Sequence, residues 1–279
     1  MKTQKDIYYK ILAVWALTVV VAAAPTLSAQ DTPQPVNATD ELAIRKSDAT
    51  VETKPENWVD HYDALLQKYV SSKGVKYAAW HQHKADLAKL NSVIEAISTA
   101  SLKGKTKDEK LAFLLNAYNA WMLHRMLAAY PTKGPGGGGL FGRNKFFKSN
   151  ELKVGGATTS FYGLENSIIR PKFKEPRIHF ALNCASKSCP PLHTSAFRGE
   201  TLDATLDQLA KAFLIDNPNG VRSTNGGKKL KVSRIFDWYE DDFPGGVVAY
   251  LNKFRGKVRF PDKAKVSFQD YDWSLNEAR

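Results

Sequence analysis

Residues 106–131 constrain this chain most, because only one regular structure suits them. Thr106 with Glu109 three residues on forms a capping box, Leu111, Leu114, Leu115, Tyr118, Met122 and Leu127 recur at helical spacing, and Pro131 stops the run. The pattern predicts a helix over residues 107–130. Asn116 and Asn119 share one of its faces with Ala112 and Leu123. Two asparagines so placed are either the solvent side of the helix or a buried polar ridge with assigned partners, and composition alone favours solvent.

Other segments fit around this helix. Val59, Tyr62, Leu65, Leu66, Tyr69 and Val70 mark an amphipathic helix from Trp58, with His61 on its polar side. A second helix is predicted over residues 84–98, preceded by a loop holding His81 and His83, and others over residues 162–169, 202–215 and 247–254. Pro171 is expected to break the helix before it. Gly155-Gly156 and Asn225-Gly226-Gly227 signal hairpins, and residues 258–260 and 265–268 read as short strands. The glycine run at 134–139 lacks a following Gly-Lys-Ser/Thr, so it reads as a mobile surface loop and not as a phosphate cradle. Helices mixed with hairpins, without regular strand–helix alternation, predict an α+β fold. The expectation is a single domain over residues 56–279, with several helices around a small, mostly antiparallel sheet.

At the N-terminus, Lys2, Lys5 and Lys10 precede an apolar run over residues 11–24, and Leu27-Ser28-Ala29 follows it. That is the pattern of a secretory signal peptide over residues 1–29; the apolar run is shorter than the roughly 20 residues a spanning helix needs. Residues 30–55, with Pro33, Pro35 and Pro55, read as a flexible leader. The chain is therefore expected to be exported, periplasmic or secreted, and to meet the membrane only through the signal before cleavage. Its formal charge of +12, or +10 once three lysines and one aspartate leave with residues 1–29, suggests anionic envelope components as partners. Nucleic acid is not expected for an exported protein.

The chemistry concentrates in RIHFALNCASKSCPPL at 177–192, which holds both cysteines of the chain. Alternation predicts a strand over residues 178–183, with His179, Ala181 and Asn183 on its polar face, ending at Cys184 before Pro190-Pro191. Three readings of the motif stay open. Cys184 and Cys189 could close a small disulfide loop, as an even cysteine count permits in an exported chain. His179, Cys184, Cys189 and His193 could bind zinc, but the spacing is looser than a usual knuckle, so no metal is expected. Cys184 could be a nucleophile at a strand end, with a histidine base and an orienting asparagine or acid. His179 would lie roughly 16 Å from Cys184 on an extended strand, which favours a structural role for it, bonded to Asn116 or Asn119, and leaves His124 as a distant candidate base. Dithiol redox chemistry is only weakly signalled, since C-x4-C is not the thioredoxin spacing.

The same motif, with LLNAYNAWMLHRML at 114–127, LENSIIRPKF at 164–173, RIFDWYEDDF at 234–243 and YDWSLN at 271–276, resembles the domain-of-unknown-function 547 family. The resemblance implies no activity, but recurrence of the N-A-Y-N-A block moves Asn116 and Asn119 towards the buried ridge. Glu165-Asn166 stands where many relatives carry Glu-His. Together these readings make Cys184, His179, Asn116, Asn119 and Glu165 the candidate catalytic residues, without a cofactor, with a papain-like or transglutaminase-like fold as one form the domain could take. The expected function is cysteine-dependent hydrolysis or acyl transfer in a cleft lined by the cysteine loop. The alternative is a non-catalytic, disulfide-stapled basic binding module.

Overall fold

A computed structural model describes residues 57–149 and 151–278. The expected signal peptide and leader lie outside the described residues. The first helices follow their apolar periodicity: α1 (Trp58–Tyr69), capped by the Asn57 side chain, α2 (Tyr77–Gln82) and α3 (Lys84–Thr99). His81 therefore lies in a helix, not a loop, and the His83 side chain accepts the Asp86 N–H at the start of α3. Between α1 and α2, β1 (Val70–Ser71) and β2 (Gly74–Val75) make a minimal antiparallel pair.

Helix α4 (Lys107–Ala128) is the centre of the molecule, and both halves of the predicted capping box are formed. Fifteen of its 22 residues are buried, on every side of the helix, which marks a core element and not a surface one. After it the structure departs from expectation. The glycine run contains a tight turn (Pro135–Gly138) that feeds an unexpected helix, α5 (Leu140–Ser149). The hairpin of β3 (Leu152–Val154) and β4 (Ala157–Thr159) turns at Gly155-Gly156 as predicted, both glycines at positive φ.

Pro171 does not break the next helix. Phe161–Gly163, Leu164–Ile169 and Arg170–Phe173 run on as α6, with a π turn in which the Arg170 N–H donates to the Glu165 carbonyl. Such wide turns often re-aim side chains at functional sites. The predicted strand over residues 178–183 is also absent. Pro176–Phe180 form a 3-10 turn instead, started by the Glu175 carboxylate, which accepts the Arg177 N–H.

Helix α7 (Leu202–Lys211) runs on into a π turn, Ala212–Asp216. The strands β5 (Val221–Thr224), β6 (Lys229–Val232) and β7 (Lys265–Phe268) form the largest sheet, with α8 (Ile235–Trp238) and α9 (Gly246–Phe254) between β6 and β7. β5 and β6 pair antiparallel, but β6 and β7 pair parallel with Lys229 opposite Lys265. The fold is thus α+β, with three small sheets among the described residues in place of one, and residues 258–260 form no strand. Two apolar cores result. The first gathers α1, α3, α4 and α6; the second gathers Phe213, Leu230, Val232, Phe236, Phe243 and Tyr250. Ile178 belongs to the first and Phe180 to the second, so the 176–180 turn ties the two together.

Candidate functional site: a thiol pair held by asparagine clamps

Helix α4 organises the motif through its two asparagines. The Asn119 side chain donates to the Ala181 carbonyl (2.9 Å) and accepts the Asn183 N–H (2.9 Å). Asn116 does the same to Phe197, donating to its carbonyl (2.8 Å) and accepting its N–H (2.8 Å). A carboxamide has one donor face and one acceptor face, so each satisfies a stretch of buried backbone that has no strand partner. This is the buried ridge that the sequence offered as one alternative. Asn252 serves Phe260 in the same way in the second core.

Asn183 carries the arrangement into the cysteine loop. Its side chain donates to the Pro190 carbonyl (2.8 Å) and accepts from the Ala185 N–H (2.9 Å) and from the Asn276 amide (3.2 Å). Ala185 is fully buried with φ of 58°, a costly conformation for a residue with a Cβ. It is over-determined here, because its N–H is held by Asn183 and its carbonyl accepts the Asn276 N–H (3.1 Å). The chain's last segment forms a strap across the loop, with Lys187 and Ser188 donating to the Ser274 and Asp272 carbonyls.

Within this frame the Cys184 and Cys189 sulfurs stand 2.7 Å apart, inside van der Waals contact and a small shift from disulfide distance. Cys184 is partly exposed and Cys189 is buried. The other contacts of Cys184 Sγ are the Ser186 hydroxyl (2.9 Å) and the Tyr271 hydroxyl (3.2 Å). Burial opposes ionisation of Cys184. Hydrogen bonds from Cys189, Ser186 and Tyr271 outweigh it and lower the pKa below the usual thiol value. For Cys189, burial and the neighbouring Cys184 charge act together and push the thiol well up. The Cys184 N–H donates to Cys189 Sγ (2.8 Å). The pair is thus asymmetric: one thiol on a partly exposed residue and disposed to ionise, one buried thiol that holds its proton.

His179 does not join the thiols. Its Nε2 lies 2.7 Å from Asp242 and its Nδ1 lies 3.8 Å from Glu165, and its ring stacks on Tyr239 at 4.0 Å. It makes no bond to Asn116 or Asn119, whose partners are backbone groups. The reason is the 3-10 turn, which aims His179 at the segment after α8 instead of along a strand face. Arg170 completes this cluster, bonding Asp242 through Nε (2.6 Å) and Nη2 (3.0 Å) and Asn166 through Nη1 (2.7 Å). Burial resists the Asp242 charge, but His179 and Arg170 overcome it and hold the carboxyl far below its usual range. Glu165 is buried, and its charge adds to burial in pushing the Tyr239 and Tyr118 hydroxyls well up. Cys184 raises both tyrosines too, so the carboxylate cluster and the thiol pair share one electrostatic neighbourhood.

Of the expected residues, then, Cys184 and Asn119 meet through Asn183, while His179 and Glu165 meet each other. Asn116 supports the loop further along, at Phe197. The zinc set is not assembled: His179 faces Asp242, and His193 packs on Phe197. Among the described residues no group of three or more histidine, cysteine or acidic side chains is placed to hold a metal. Ser186, Tyr271, Tyr239, Arg170 and Asp242 escaped the residue-level reading. Two of the spaced blocks, 234–243 and 271–276, contain three of them.

The model of a family described as "Protein of unknown function, DUF547" matches residues 102–214, which hold α4, α6, the clamps and both cysteines. No curated protein and no solved structure matches the chain.

Proposed function

We propose that this chain, a member of the DUF547 family, acts through thiol–disulfide exchange at Cys184 and Cys189. The observation that carries this is the pair itself: a partly exposed Cys184 with a lowered pKa and a buried Cys189, their sulfurs 2.7 Å apart. In the reducing direction the Cys184 thiolate attacks one sulfur of a substrate disulfide, forming a mixed disulfide and expelling the first substrate thiolate. Cys189, giving up its proton, then attacks Cys184 Sγ and expels the second. Two electrons pass to the substrate, and the protein ends with a Cys184–Cys189 disulfide. The Ser186 and Tyr271 hydroxyls lie within hydrogen-bond distance of Cys184 Sγ, and a thiolate there can accept from them, which favours it both as attacking and as leaving group.

Hydrolysis or acyl transfer, the expectation from sequence, uses the same nucleophile but needs a base in contact with it or a group to protonate the leaving amine. The nearest groups to Cys184 are hydroxyls and a second thiol, and His179 is engaged with Asp242. That supports exchange over acyl transfer. Export, read from the N-terminal apolar run, belongs to the same proposal, since it would bring the pair to a compartment where disulfides persist.

The test is equilibration of the purified protein in glutathione buffers of defined potential, followed by alkylation and mass mapping. Exchange predicts reversible interconversion at a potential above about −300 mV, with Cys184 labelled first. Replacing Cys189 by serine should trap a mixed disulfide at Cys184, whereas Cys184→Ser should not trap one at Cys189. A bond that resists all glutathione ratios would return the motif to a structural staple and favour the binding module.

A further inference from the structure

The outer face of the β5–β6–β7 sheet gathers cations without a counter-charge. Register sets Lys229 beside Lys265 and Lys231 beside Arg222, while the alternate residues Leu230 and Val232 point into the second core. In-register neighbours share a face. The solvent face is therefore Arg222, Thr224, Lys229, Lys231, Lys265 and Ser267, all exposed. Lys228 and Lys263 extend it along a groove at the hairpin end. Like charges directly opposite one another on a sheet destabilise it. No carboxylate among the described residues lies within ion-pair distance of any of these six cations. The local sequence is equally one-sided: residues 217–236 and 243–269 hold eleven lysines and arginines and one acid, Asp262.

We propose that this face docks the protein on anionic phospholipid bilayers. Three features select a bilayer over other polyanions. Cations stand on all three strands, matching a two-dimensional array of phosphates instead of one linear chain. No aromatic ring lies on the face to stack on a base or a sugar; Phe268 packs against the second core. Beside it, in the loop whose Phe260 ring packs under Gly227, Val258 is 72% exposed between Lys257 and Arg259. An apolar side chain flanked by cations suits the headgroup boundary.

The experiment is co-sedimentation of the full chain with vesicles of phosphatidylcholine alone or mixed with phosphatidylglycerol, at low and high salt. Binding should need the anionic lipid and weaken with salt. Each lysine near such a surface strengthens binding about fivefold, so the triple variant K229Q/K231Q/K265Q should lose roughly a hundredfold. The triple K84Q/K89Q/K103Q, with the same net charge and the same N-terminal apolar run, should lose little. Equal losses in the two triples would make the effect one of net charge and overturn the proposal. So would binding of a sulfated polysaccharide by a chain that ignores anionic vesicles.

Discussion

The asparagines of α4 replace a sheet. Where the motif would need strand partners for the backbone of Ala181, Asn183 and Phe197, two carboxamides supply them. Removing either leaves a buried donor and acceptor unpaired, so Asn116→Ala and Asn119→Ala should each cost about 1 to 3 kcal/mol, read from urea midpoints. Asn119→Ala should also loosen the thiol loop and speed labelling of Cys189, whereas Asn116→Ala should not. Asp242 carries a different prediction. Its folded pKa lies below the unfolded value near 4, so the stability it contributes is complete above that pH and is lost as acid protonates it. The stability gap between the wild type and Asp242→Asn should therefore be wide at pH 7, begin to shrink only below about pH 4 and go on shrinking with further acid. The buried ridge was legible only through the family resemblance, since composition alone favoured the solvent side for Asn116 and Asn119. The partner of His179 was not, because Asp242 lies 63 residues away and no periodicity links them.

At the scale of elements, what could be read followed local rules, and what could not was decided by distant contacts. Capping, glycine-pair turns and 3.6-residue periodicity placed α1, α3, α4, α7, α9 and the four strands of two hairpins. Thr106→Ala should accordingly cost about 1 kcal/mol in thermal or urea unfolding, as expected for an N-cap whose oxygen accepts a helix N–H; no change would mean that tertiary packing alone holds the start of α4. The strand predicted over residues 178–183 failed because alternation describes any buried run with one polar side. Pro176 and the Glu175 cap favour a turn, and side-chain clamps removed the need for a ladder. Helix α6 survives Pro171 because the π turn ends at Arg170, leaving proline in the first turn of the next segment, where a missing N–H is tolerated. Helix α5 has no apolar stripe to announce it and buries none of its residues fully. Phe146 and Phe147 hold it, resting on Phe161 and, for Phe147, also on Trp273.

On the scale of the whole molecule, the chain's final segment joins parts that the cores leave separate. Asn276 accepts the Val75 N–H and donates its own to Ala185, while Leu275 donates to Lys133, so β2, the cysteine loop and the segment after α4 share one strap. The Tyr77 hydroxyl donates to the Asn276 side chain and Tyr130 to Glu277. The strap also delivers Tyr271 to Cys184, with the ring braced by Trp238 at 4.8 Å and Trp273 at 4.6 Å. This separates two effects that a single deletion would merge. Tyr271→Phe keeps the bracing ring and removes one hydroxyl that favours the thiolate, so the pH midpoint for iodoacetamide labelling of Cys184 should move up with little change in unfolding temperature. Ending the chain at Asp270 removes the strap itself. Both cysteines should then label faster at any given thiolate fraction, Ala185 loses the partner that holds its left-handed backbone, and the unfolding temperature should fall, while α4 and the second core keep the helical signal. If the truncated chain labels with the unaltered midpoint and rate, the thiol pair is held by α4 and Asn183 alone, and the strap has no part in setting its chemistry.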